Sequence, residues 1–167
     1  MKKEYLYIAV SLLISLFIYL FYRTEKTVVN EMLISIISFD TYAAWKANMV
    51  HFIPINDIVV YSLPEGLWVF CITLTSKPYY IKLRNRRIYC VFIPLVFSVG
   101  LEILQLLHIT NGRFDLKDIG ISIVFWGIGN YAFRNKAPKQ NILASLNLKT
   151  VICVGTYAIV YLSHVFK

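Results

Sequence analysis

The chain has 167 residues, of which 58% are hydrophobic and only 16% charged, and a mean hydropathy of +0.62, whereas charged residues make up about a quarter of an ordinary soluble domain. Such a balance excludes a typical soluble enzyme or binding module and predicts one small integral membrane domain over residues 1–167. The net charge of +8 would suit nucleic acid in a soluble protein, but the basic residues gather in short stretches between apolar runs, so no nucleic-acid partner is expected.

A bilayer core about 30 Å thick needs roughly 20 helical residues, and residues 5–22 form the first such run, with Lys2 and Lys3 before it and Arg23 after it. No small-residue cleavage site follows, so an anchored first helix is expected. Residues 32–39 are apolar but too short to span; with Trp45 and His51 beyond them they suit an interfacial or re-entrant segment. Further spans are predicted near residues 58–75, with Pro64 and Glu65 in the outer third, and near 88–107, 118–133 and 150–166. The expected fold is therefore all-α, a polytopic membrane bundle of about five transmembrane helices plus the short segment.

Orientation follows from Lys and Arg. The 77–87 stretch carries Lys77, Lys82, Arg84, Arg86 and Arg87 and no acid, and the 134–149 stretch carries Arg134, Lys136, Lys139 and Lys149. Both should be cytoplasmic, with the N-terminus on the same side and the 23–57 and 108–117 segments outside. Cys71, Cys90 and Cys153 lie inside apolar runs without metal-ligand spacing, which predicts packing residues.

On that topology the ionisable residues fall in one outer-leaflet layer. Glu102 is surrounded by Leu101, Ile103, Leu104, Leu106 and Leu107, too far from the helix end for a short side chain to reach water, so it should either carry a proton or face a cation. Arg113 is the nearest such cation in sequence, and its forked guanidinium suits a carboxylate or a phosphate. Gln105 lies at i+3 from Glu102 on one helix face, Asp115 and Asp118 share the same spacing, and Ser122 sits one turn further on. Asp118 taken alone reads as a helix N-cap, Gln105 as an interhelical hydrogen bond, and Asn111-Gly112 as a turn. Gly127 and Gly129 read as close-packing positions. Glu65 reaches a similar depth from the preceding span.

Glu102, Gln105, Arg113, Asp115 and Asp118, spaced E-x-x-Q-x7-R-x-D-x-x-D, resemble the signature of the VanZ-like integral membrane proteins. The similarity covers residues 100–130, with a weaker likeness over 61–68; Ser122 stands where the family has Asn, and Phe125 where Gly is common. The resemblance implies a small bacterial membrane protein of the cell envelope and a link to glycopeptide (teicoplanin) resistance, without an assigned reaction.

Two functions and one structural role follow. The first is binding of an envelope lipid or glycolipid headgroup by Glu65, Glu102, Gln105, Arg113, Asp115 and Asp118, with Arg113 on a phosphate or other anion, Glu102 holding Arg113 in place, and Asp115, Asp118 and Gln105 on sugar or amine groups. The second is a membrane-embedded hydrolase or transferase on a lipid-linked substrate, with Glu102 as general acid or base and Asp115 and Asp118 on a divalent cation. The third makes the cluster a clamp between helices. The first reading requires no cofactor and no resident metal; its partners are membrane lipids or lipid-linked precursors, and self-association is compatible with it. Five spans without an internal repeat argue against a transporter.

Overall fold

The computed structural model describes residues 2–24, 28–110, 113–133, 139–144 and 147–165, and the chain is mostly helical. Helix α1 (Lys2–Tyr22) is followed by α2 (Val28–Ile37) and α3 (Phe39–Phe52), then a short α4 (Asp57–Tyr61) and α5 (Leu63–Ser76). A hairpin of β1 (Tyr79–Leu83) and β2 (Arg86–Tyr89) leads through a 3-10 turn into α6 (Ile93–Leu106). Helix α7 (Leu116–Gly127) ends in a π turn at Ile128–Ala132, and β3 (Gln140–Asn141) precedes α8 (Leu148–Val165).

Each long apolar run is helical, for the reason the sequence suggests: a backbone surrounded by apolar side chains must satisfy its own N–H and C=O groups. Among the described residues one helix, Glu4–Tyr22, is by itself long and apolar enough to cross a membrane. Helix α5 has 14 residues, about 21 Å at 1.5 Å per residue. It continues α4 across Ser62, whose backbone stays helical. The α6 stretch likewise continues the preceding 3-10 turn.

Helix α5 is the hub, packing against α1, α6, α7 and α8. Its Phe70, Cys71 and Leu74 form a buried cluster with Ile8 of α1, Phe125 of α7 and Phe133. All three cysteines are buried and free, as packing residues should be. Two glycines let α7 and its π turn approach α5. A Cβ on Gly66 would lie 2.6 Å from both Ile121 Cγ2 and Phe125 Cδ2, and one on Gly129 would lie 3.0 Å from Thr73 Cγ2. Small residues permit close backbone approach of this kind between helices. Gly129 thus packs as expected; Gly127 does not, since nothing lies within 4 Å of its would-be Cβ.

Residues 28–52 fold as two helices joined at Ser38, which has a φ of 74°. They are tied to the end of α1: Asn30 Nδ2 donates to the carbonyls of Tyr19 (3.1 Å) and Thr24 (2.9 Å), and the Tyr42 hydroxyl donates to the Leu20 carbonyl (2.8 Å). These bonds meet carbonyls that the helix end leaves without intrahelical partners.

The small sheet is the element the sequence reading treats as loop. β1 pairs antiparallel with β2 (Tyr80 opposite Tyr89, Leu83 opposite Arg86) and parallel with β3, in the order β2-β1-β3. It joins the two basic connections, 77–87 and 134–149, into one structure at the end of the bundle where α5 finishes and α6 begins. Of the second stretch, Arg134 and Lys136 lie outside the described residues, as does the Asn111-Gly112 turn. Lys77, one residue past α5, donates from Nζ to the carbonyls of Gly129 (2.9 Å) and Phe133, holding the end of the π turn.

Candidate functional site

At the other end of α5 three elements bring acids together. Glu65 lies in the first turn of α5, after Pro64; Asp118 lies in the first turn of α7; Glu102 lies four residues before the end of α6. Because α6 runs opposite to α5 and α7, the two helix starts and one helix end meet at a common level. The positive ends of the α5 and α7 dipoles favour negative charge at Glu65 and Asp118. Glu65, Glu102 and Asp118 each present an oxygen, and the three oxygens lie within 4.8 Å of one another.

Glu102 is only 3% exposed. One carboxylate oxygen, Oε2, accepts the backbone N–H of Asp115 (3.0 Å), which fastens the α6–α7 loop to α6. The other, Oε1, accepts from the Gln105 carboxamide (3.3 Å) when its nitrogen faces inward, an orientation that also lets Gln105 donate to the Arg113 carbonyl (3.2 Å). Gln105 therefore shares the site as the i+3 spacing predicts, and its role is to brace Glu102 and the loop.

Glu65 Oε1 is held by two hydroxyls. Ser98 Oγ lies 2.9 Å and Ser122 Oγ 3.3 Å from it, and the two serine oxygens lie 2.8 Å apart. Both serines are fully buried. With one proton per hydroxyl, at most two of these three contacts are donated at once. Ser122, one turn beyond Asp118, thus belongs to the site, and a hydroxyl is enough to bridge α7 to Glu65. Ser98 is the residue the sequence reading overlooks, although it sits four residues before Glu102 and hence on the same helix face.

Three expectations change. Arg113 is exposed, and among the described residues no ion pair joins it to Glu102; the Asp115 amide and Gln105 stand where that cation was expected. The N-cap of α7 is Asp115, whose Oδ1 accepts the Lys117 N–H (2.9 Å), and not Asp118, which is one turn inside. Asp115 gives its Oδ1 to the helix start, and the three acids whose oxygens come together are Asp118, Glu65 and Glu102. His51 and His108 are both exposed and stand outside this group.

Two unit charges about 5 Å apart at an effective dielectric of 20 repel by about 3 kcal/mol, so three carboxylates at this spacing call for protons, a cation or ligand donor hydrogens between them. Asp118 Oδ1 is buried and has no hydrogen-bond partner. The cluster is therefore rich in acceptors, with capacity that the described residues leave unfilled. No family model, curated protein or solved structure matches this chain.

Proposed function

We propose that the chain is a multi-pass protein of the cell membrane, N-terminus in the cytoplasm, that binds the headgroup of an envelope lipid or glycolipid at the Glu65/Glu102/Asp118 recess on the extracytoplasmic side. The observation that carries this is the convergence of three carboxylates from three helices with no side-chain cation of the described residues against them and one Asp118 oxygen unpartnered. An ammonium or a set of sugar hydroxyls supplies the donors that such a recess lacks. Exposed Arg113, on the loop pinned by Glu102 and Gln105, is free to meet the phosphate of the same headgroup.

Membrane insertion is supported by the outward faces of the bundle. Leu6, Leu13, Val96, Val124 and Val151, on four different helices, are more than half exposed. In water such a surface would be an aggregation liability; in lipid it is the expected exterior. The spacing of Glu102, Gln105, Arg113, Asp115 and Asp118, similar to that of the VanZ-like proteins, supports the same compartment. Teicoplanin carries an acyl chain, and a protein holding lipid headgroups at the outer surface is consistent with protection against it.

A second reading, a hydrolase or transferase on a lipid-linked substrate, draws support from the same three oxygens, since a hard divalent cation takes carboxylate ligands at this kind of site. In it Glu102 would act as general acid or base, with Glu65 replacing Asp115 beside Asp118. The deciding experiment is native mass spectrometry of the protein released from its membrane. Headgroup binding predicts retained lipid in the wild type, less in Glu102→Gln and Arg113→Ala, and no change in melting temperature on adding magnesium or manganese. Equal lipid in all three proteins removes the binding reading. A cation-dependent rise in melting temperature that Asp118→Asn abolishes favours the enzyme.

A further inference from the structure

The opposite end of the bundle carries a second polar surface with contrary charge. From residue 66 to residue 101, and again from 119 to the last residue, the sequence has no Asp or Glu, so the cations of the hairpin face no acid from their own segment or from the β3 connection. The strand register sorts the hairpin into two faces. Opposed residues share a face and neighbours alternate, which puts Tyr80, Lys82, Arg87 and Tyr89 on one side and Ile81, Leu83, Arg86 and Ile88 on the other.

The apolar side is only partly used by the fold. Ile81 packs on the buried cluster of Tyr79, Cys90 and Cys153, but Leu83, further out, is 62% exposed and Ile88 47%. On the other side the cations lie over rings: Arg87 is 5.3 Å from the Tyr80 ring centre, and Lys139 is 3.6 Å from that of Tyr89. Aromatic faces hold guanidinium and ammonium groups without neutralising them. All of β2 is exposed, and it is one edge of the sheet.

We infer that the β1–β2 hairpin is a docking element for anionic phospholipid headgroups of the leaflet beside it, with Leu83 and Ile88 entering the interface and Lys82, Arg84, Arg86 and Arg87 meeting phosphates. Charge complementarity selects an anionic partner. The uncovered leucine and isoleucine select a lipid surface over a nucleic acid, which offers phosphate but no apolar phase next to it. The hairpin lies where α5 ends and α6 begins, at the level of the membrane surface in the multi-pass arrangement; this inference rests on that arrangement but not on the headgroup recess, which is at the other end of the same helices.

The test places a bimane label on Leu83→Cys in the full chain, in nanodiscs of phosphatidylcholine alone or of phosphatidylcholine mixed with phosphatidylglycerol. The native cysteines are buried, so the introduced one takes the label. Emission should shift to the blue in the anionic discs, return toward the zwitterionic value in high salt, and show no shift when Lys82, Arg84, Arg86 and Arg87 are all changed to Gln. Equal emission in the two discs, or an undiminished shift in the neutralised variant, overturns the inference. So does a larger response to an added DNA duplex than to phosphatidylglycerol. Carbonate extraction of the same proteins separates the two failures: a chain that stays in the membrane without the shift refutes the hairpin alone, and a chain that is released refutes the multi-pass arrangement. Lipid retained by Glu102→Gln reports on the recess independently.

Discussion

The two ends of α5 handle polar groups in opposite ways. At its start Glu65 is enclosed with Ser98, Ser122, Glu102 and Asp118; Glu65 Oε1 and Glu102 Oε2 take donors from other segments, while Asp118 Oδ1 has none. Past its end the cations of the hairpin stand in the open, with Arg87 over the Tyr80 ring and Lys139 of the β3 connection over that of Tyr89. Enclosed polar atoms lose their hydration and must be satisfied within the protein, so each one couples helices together; open ones keep water or headgroups and leave the fold indifferent to them. The comparison predicts that substitutions at the recess alter folding and binding together, whereas those at the hairpin alter surface behaviour alone.

The largest expected effect comes from the seam beside Glu65. Gly66→Leu would drive a side chain into Ile121 and Phe125, and overpacking of this kind costs about 1–3 kcal/mol or more, so the melting temperature in detergent should fall sharply and the recess should lose its shape. Gly127→Ala, with open space at its Cβ, should leave the melting temperature unchanged or slightly raised; an equal loss at both glycines would break the distinction drawn between them.

Next comes the hydroxyl pair. Glu65→Ala removes the acceptor that Ser98 and Ser122 share, leaving the two hydroxyls only each other, and should cost about 1–3 kcal/mol, measured by thermal or denaturant unfolding. In a double-mutant cycle with Ser98→Ala the two losses should be non-additive by about 0.5 kcal/mol or more, because the residues share one bond network. Additive losses would mean that Ser98 and Glu65 are neighbours without coupling. Smallest of all should be the hairpin: neutralising Lys82 and Arg84 to Gln is expected to move stability by no more than about 0.5 kcal/mol, as for exposed side chains generally.

Much of the fold was legible because hydropathy adds up over long windows. Residues 58–75 read as one span, and the structure has helix from 57 to 76 interrupted only at Ser62; the 118–133 prediction likewise falls on α7 and its π turn. Trp126 shows the limit of such reading: its indole N–H donates to the Val91 carbonyl (2.8 Å), a contact between distant segments that no local pattern announces. The hairpin was hidden by its own charges. Neither 79–83 (YYIKL) nor 86–89 (RRIY) alternates apolar with polar residues, five basic residues in 11 positions, 77–87, read first as a cytoplasmic loop, and the turn uses Arg84 at a φ of 51°, where Gly or Asn would have been the signal.

The site divides in the same way. Glu102, Gln105 and Asp118 could be picked out from sequence because polar residues stand out among leucines and because i+3 spacing sets which of them share a helix face. Their partners could not, since a carboxylate takes whichever donor the fold brings within about 3 Å. Arg113 is near Glu102 in sequence, yet the loop turns so that the Asp115 amide arrives there instead, and Ser98 reaches Glu65 across 33 residues. Composition and periodicity determined that this chain forms apolar helices and that Glu102, Gln105 and Asp118 stand out within them, because hydropathy and helical spacing are properties of local sequence. Which acids meet, which serine braces them and which aspartate caps the helix was decided by the packing of α5, α6 and α7, because Gly66 and Gly129 let those backbones close to a distance that only the tertiary structure specifies.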